Sequence, residues 1–174
     1  MTENSPVESL IVLLDTNVWL DRYLPSRPRH SLVKELLDLC VNEGATILYP
    51  LRALQDVFYQ VTRDSKAWVR ESHGALSEPY AHAINALAWD CINSMMEAGA
   101  PVGADGSDVW IAQHLRNVHT DFEDNMVLAA AMRAKADYLV TSDQQLIQKA
   151  TVAALTPQDM LEVLRMRRKM HQRS

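Results

Sequence analysis

Five aspartates and one glutamate stand where short apolar runs end or where helices begin. Asp15 closes the run Ile11-Val12-Leu13-Leu14, and Asp143 lies two residues beyond Tyr138-Leu139-Val140-Thr141. Asp121, Glu123 and Asp124 crowd the head of an alanine-rich segment, and Asp56 falls in the segment after a second apolar run. Carboxylates brought close together repel and raise one another's pKa values. A hard divalent cation removes that cost. Mg²⁺ takes oxygen ligands, keeps several waters, and is commonly held by a few carboxylates plus a substrate phosphate. Such a site can polarise a phosphoryl oxygen and acidify an attacking water. The chemistry that this pattern suits is therefore metal-assisted phosphodiester hydrolysis, with no Ser, His or Cys nucleophile.

Other site chemistries find little support. The six histidines show neither H-x₃-H nor H-E-x-x-H spacing, and Cys40 and Cys91 form no CxxC. Five glycines give no GxGxxG or GxxxxGK loop. A phosphatase of the haloacid dehalogenase type would carry a second Asp two residues after the first, where Asn17 stands. A receiver domain would place a Lys at the end of its last strand, and residues 152–155 hold none.

The acids need elements to position them. The run 11–14 reads as a strand buried on both faces, as in a parallel sheet. A turn-rich loop follows at 24–30, then a helix over 31–43 with Gly44 at its C-cap. Residues 46–49 read as a second strand stopped by Pro50, and Leu51, Leu54, Phe58 and Val61 give helical spacing. The middle, 65–117, is mostly helical, with a short strand at 100–102. Thr120-x-x-Glu123 has the form of a capping box opening a helix over 121–135. Strands at 138–141 and 152–155 follow, with a helix at 144–150 between them. Thr156-Pro157 opens a last helix that ends in a basic tail. This alternation predicts an α/β domain with a parallel sheet. In such sheets sites form beyond the carboxyl ends of the strands, and right-handed crossovers bring those loops to one edge.

Length and composition agree with one domain spanning 1–174, with 1–9 and 166–174 expected as flexible ends. The chain has 174 residues, 48% hydrophobic and 22% charged, with a net charge of −5. That balance excludes disordered and collagen-like classes. It also disfavours a protein built to coat nucleic acid, so RNA would be held by a local basic patch and a metal. Cys40 and Cys91 read as reduced core thiols, which points to the cytoplasm. The N-terminus has no basic region before an apolar run, and the apolar stretch 84–100 is broken by Asp90, Asn93 and Glu97, so no signal peptide or membrane span is expected.

Three segments carry a family resemblance. Leu14-Asp15-Thr16-Asn17-Val18-Trp19-Leu20-Asp21, with Leu24 and Arg27-Pro28, resembles the opening motif of PIN domains. Asp121-Phe122-Glu123-Asp124-Asn125-Met126 is similar to their central acidic motif, and Val140-Thr141-Ser142-Asp143 to their third. Order and spacing agree from about residue 10 to 165. The resemblance implies a three-layer α/β/α sandwich with a central five-stranded parallel sheet and an Mg²⁺- or Mn²⁺-dependent endoribonuclease site acting on RNA. It further implies a VapC-like toxin with a cognate antitoxin, and a possible homodimer. Asp15, Asp124 and Asp143 match the family's core acids. Asp56 stands where the family usually has Glu, one methylene longer, which keeps open a catalytically degenerate binding module.

Each acid also has a plainer reading. Asp15 suits an Asx turn with Asn17, Asp143 the N-cap of the 144–150 helix, and Glu123 a reciprocal cap for Thr120. Asp121 reads either as a further metal ligand or as a partner of the helix dipole, a role also open to Asp124. Asp21 and Asp108 read as solvated or as supports behind the site. Trp19 is open to core packing or base stacking, and the other tryptophans to packing. Arg22, Arg27 and Arg29 are the nearer candidates for RNA phosphates. Arg165, Arg167, Arg168, Lys169 and Arg173 suit a solvated helix end or phosphate contact.

Overall fold

In the computed structural model, which describes residues 9–172, the apolar runs form a sheet of five parallel strands. These are β1 (Ile11–Leu14), β2 (Thr46–Pro50), β3 (Ala100–Val102), β4 (Tyr138–Val140) and β5 (Ala154–Leu155). The order across the sheet is β3-β2-β1-β4-β5, and every neighbouring pair is parallel. The helices are α1 (Thr16–Tyr23), α2 (His30–Asn42), α3 (Arg52–His73), α4 (Glu78–Ala98), α5 (Gly106–Leu115), α6 (Phe122–Arg133), α7 (Gln144–Lys149) and α8 (Pro157–His171).

Strand periodicity divides the core between two faces. Val12 and Leu14 pack into one cluster with residues of α1 to α4 and α8. Leu13, pointing the opposite way, joins the second with residues of α5, α6 and α7. Successive strand side chains face opposite sides, and all three residues are fully buried. That is why the run is continuously apolar rather than alternating. The result is the expected α/β layering, with helices on both sides of the sheet.

The topology locates the cleft. From β1 the chain moves outward through β2 to β3, with its helices on the first face. It then returns past β1 to β4 and β5, with its helices on the second. Crossovers of one hand must change face when they change direction. The loops after β1 and β4 therefore leave the sheet toward opposite faces, and a crevice opens between them at the strands' carboxyl ends.

Several local expectations change. Residues 16–23 form a helix that the sequence reading passed over. The N-cap of α6 is Asp121, not Thr120. Residues 166–171, expected within a flexible end, are helical and continue α8; residues 1–8, 173 and 174, the rest of those expected ends apart from Ser9 and Gln172, lie outside the described residues. Trp68, Trp89 and Trp110 are more than half exposed, outside the core, and each keeps a ring contact, with His73, Phe58 and His114 respectively. Gly99 is the residue that allows β3 to lie beside β2: a Cβ there would stand 2.6 Å from the Ile47 carbonyl oxygen.

Candidate active site

Asp15 ends β1 and caps α1. Its extended backbone (φ −67°, ψ 157°) lets Oδ1 accept from the Thr16 N–H at 2.6 Å. Oδ2 accepts from Asn17 Nδ2 at 2.6 Å and from the Thr141 hydroxyl at 2.7 Å. Thr141 is fully buried, and its hydroxyl is saturated. Besides donating to Asp15, it accepts from Asn17 Nδ2 at 2.9 Å and from the Asp143 N–H at 3.1 Å. The Asn17 amide is oriented in turn by its Oδ1, which accepts from the Ser142 N–H at 3.0 Å. One hydroxyl and one amide thus tie the end of β1 to the loop after β4. Asn17 meets Asp15 through its side-chain amide, not through the backbone N–H that an Asx turn would use.

Burial pushes the Asp15 carboxyl up to about 6, against the pull of its Thr141 and Thr16 hydrogen bonds and with help from the nearby charges of Asp124 and Asp143. Asp124, in the first turn of α6, is also raised, first by desolvation and further by Asp121, Asp143 and Glu123, while His119 pulls it down. Asp15, Asp124 and Asp143 therefore sense one another, although they are far apart in sequence. Asp121 and Asp143 cap α6 and α7, each through Oδ1. In both residues Oδ2 has no protein partner among the described residues. His119, which the sequence reading did not single out, is 4% exposed. Its Nε2 lies 3.3 Å from Asp124 Oδ2.

A model of the PIN domain matches residues 11–145, more than half of the chain. The chain belongs to the PIN-domain family. No curated protein sequence matches it. Among solved structures it is similar to the crystal structure of PAE2754 from Pyrobaculum aerophilum, with a TM-score of 0.56 and 15% identity over 95% of this chain and 99% of that one. At that identity the likeness speaks for the fold alone.

PIN domains are generally nucleases and typically use divalent metals, which makes the donor set of this one the point to test. Among the described residues no three His, Cys, Asp or Glu side chains form a ready-made metal cage. The acids fit a looser arrangement: all donors are oxygens, Asp15 and Asp124 are raised by burial and by neighbouring carboxylates, and Asp121 and Asp143 each keep an oxygen uncommitted. No Lys or Arg ion pair reaches Asp15, Asp121 or Asp143 among the described residues. That suits a hydrated cation held by few carboxylates.

The other candidates are placed differently. Asp56 faces Arg52 at 3.4 Å, and Arg52 also reaches Glu123 at 3.3 Å. These residues line a cleft of about 170 Å³ whose lining also includes Thr16, the residue after Asp15. Glu123 thus serves no Thr120 capping box. Asp21 is buried rather than solvated and accepts from Arg27 Nε at 2.5 Å, which ties one side of the Arg27 guanidinium to the fold. Asp108, also buried, closes the cap of α5 and meets Arg133 at 3.2 Å. Trp19 is fully buried against Tyr49, which removes it from base stacking. In α8, Arg165 pairs with Glu35 and Glu162, and Arg168 with Glu43. Arg173 lies outside the described residues.

Proposed function

We propose that this PIN domain is a metal-dependent endoribonuclease in which Asp15, Asp124 and Asp143, with Asp121 beside them, hold Mg²⁺ or Mn²⁺. The observation that carries this reading is a charge imbalance. Asp124 and Asp143 lie near enough to help push the Asp15 carboxyl up, Asp143 does the same to Asp124, and no Lys or Arg pairs with Asp15 or Asp143 among the described residues. The bound ion would supply activation of a water and charge neutralisation at the scissile phosphate.

The chain's own residues do the positioning. Thr141 and Asn17 hold the Asp15 carboxylate at the strand end, so it need not reorganise when charge is neutralised beside it. Burial of Asp15 keeps water from screening its field. Asp56, engaged by Arg52, acts at the rim, and its loss should cost less than that of Asp15.

The test is cleavage of single-stranded or loop RNA by protein freed of contaminating nuclease. Mn²⁺ or Mg²⁺ should support it, EDTA should stop it, and Asp15→Asn should abolish it. Equal cleavage by Asp15→Asn would leave a PIN fold that serves only as a binding module. The finer assignment, a cytoplasmic VapC-like toxin checked by a protein antitoxin, is supported by the resemblance of the three acidic motifs. It requires that induced expression of the wild type, and not of Asp15→Asn, arrest growth.

A further inference from the structure

Two helices on the second face of the sheet begin with the same acidic spacing and end up differently. Asp105-Gly106-Ser107-Asp108 opens α5, and Asp121-Phe122-Glu123-Asp124 opens α6. In each, the first Asp is the N-cap and the second stands three residues on. At α5 the pair closes a capping box: Asp108 Oδ2 accepts from the Asp105 N–H at 2.7 Å. Its carboxylate is folded back on the helix start and buried. At α6 no such box forms, because the Asp121 N–H donates instead to His119 Nδ1 at 3.1 Å.

The difference lies two residues before each N-cap. Gly103 has no side chain to offer, whereas His119 has an imidazole. That ring is locked from several sides. The His119 N–H donates to the Leu115 carbonyl at 2.9 Å, and its own carbonyl accepts from Asn125 Nδ2 at 2.8 Å. Because Nδ1 accepts a backbone proton, the neutral ring carries its proton on Nε2. Nε2 is buried, has no aligned hydrogen-bond partner, and faces Asp124 Oδ2 at 3.3 Å.

We infer that His119 is a positioning residue for Asp124. It occupies the N–H that would draw the carboxylate back into a capping box, and it presents its own N–H to that carboxylate on the crevice side. Asp124 is thereby kept available beside Asp15 and Asp143 instead of being consumed by its own helix, as Asp108 is. The metal readout below rests on the proposed nuclease site; the first readout does not.

The experiment uses the full chain without metal. The Asp121 amide proton is followed by NMR in wild type, His119→Ala and His119→Asn, each with and without Asp124→Asn. In His119→Ala the freed N–H should be taken by Asp124, so Asp124→Asn should move the Asp121 amide resonance. In wild type, and in His119→Asn, whose side-chain oxygen can stand in for Nδ1, Asp124→Asn should leave that resonance nearly unchanged. Mn²⁺ binding is then titrated by calorimetry, with an expected loss of affinity of about 10–100-fold for His119→Ala and a smaller one for His119→Asn. An Asp121 amide in His119→Ala that ignores Asp124→Asn would overturn the inference, as would unchanged Mn²⁺ affinity. A wild type that binds no Mn²⁺ would count against the metal site, and the amide resonance would still decide the role of His119.

Discussion

Replacing Asp15 by Asn should make the metal-free protein more stable at neutral pH, although it removes a helix cap. The carboxyl group is raised from 3.8 to about 6 on folding. Folding therefore favours its protonated form: the stability it contributes is complete below the unfolded pKa and lost as pH rises through the folded one. At about 1.4 kcal/mol per pKa unit, the ionised group costs roughly 3 kcal/mol above about pH 7. Asn is neutral at every pH and escapes this cost. Its single oxygen can stand where Oδ2 meets Asn17 and Thr141, but its NH₂ then faces the Thr16 N–H that Oδ1 now accepts. Losing that cap costs about 1 kcal/mol. The net gain is about 2 kcal/mol, or a rise in Tm of roughly 4–8 °C for a domain of this size. Urea or thermal unfolding in EDTA from pH 4 to pH 8 measures it, and the two curves should cross as pH falls toward 4. Saturating Mn²⁺ should reverse the order at pH 7.5, since ligand at 100 times its Kd stabilises by about 2.7 kcal/mol and the Asp15→Asn variant loses that contribution. A gap between variants that does not change with pH would refute the premise that burial of a charge dominates this position.

Thr141→Val keeps the shape and removes a hydroxyl that serves Asp15, Asn17 and the Asp143 N–H. It should cost roughly 2 kcal/mol in denaturant unfolding and weaken Mn²⁺ binding, with Thr141→Ser restoring both. Asp56→Asn should lower RNA cleavage by less than about tenfold, because Asp56 is engaged by Arg52 and not by Asp15; a loss equal to that of Asp15→Asn in single-turnover assays would place it among the core acids. Gly99→Ala should destabilise by about 1–3 kcal/mol, since its Cβ would meet the Ile47 carbonyl at 2.6 Å; unchanged unfolding would show that β2 and β3 can separate freely.

The strand-end acids were legible because a buried parallel strand leaves an unbroken apolar run, and Asp15 and Asp143 mark where two such runs stop. The α6 cap was misread for a physical reason. Thr120-x-x-Glu123 satisfies the capping-box pattern, but Asp121 is one residue further on and its carboxylate accepts from both the Glu123 and Asp124 N–H groups. A charged acceptor outcompetes a hydroxyl there, and Glu123 is left to pair with Arg52. His119 was invisible to spacing rules for metal ligands. The readable signal was its place two residues before an acidic helix cap, and it only means something once Asp121 is known to be that cap. For Trp19 and Asp21 the sequence left two readings open each, because the segment after Asp15 was read as a motif and not as a helix. As α1, it turns Trp19 into the core and buries Asp21 within reach of Arg27.

The sheet and its two longest helices are mismatched in length. At about 1.5 Å per residue, the 22 residues of α3 and the 21 of α4 extend roughly 30 Å. The strands, of two to five residues, cover at most about 17 Å. Much of this hairpin must hold itself together by packing α3 on α4, with contacts such as Phe58 on Trp89 and little support from the sheet. Stability that is local in this way can be lost locally. The distal part of the hairpin is therefore the place where amide protons should exchange by sub-global opening, while β1, β4 and the crevice between them stay closed until the whole domain unfolds.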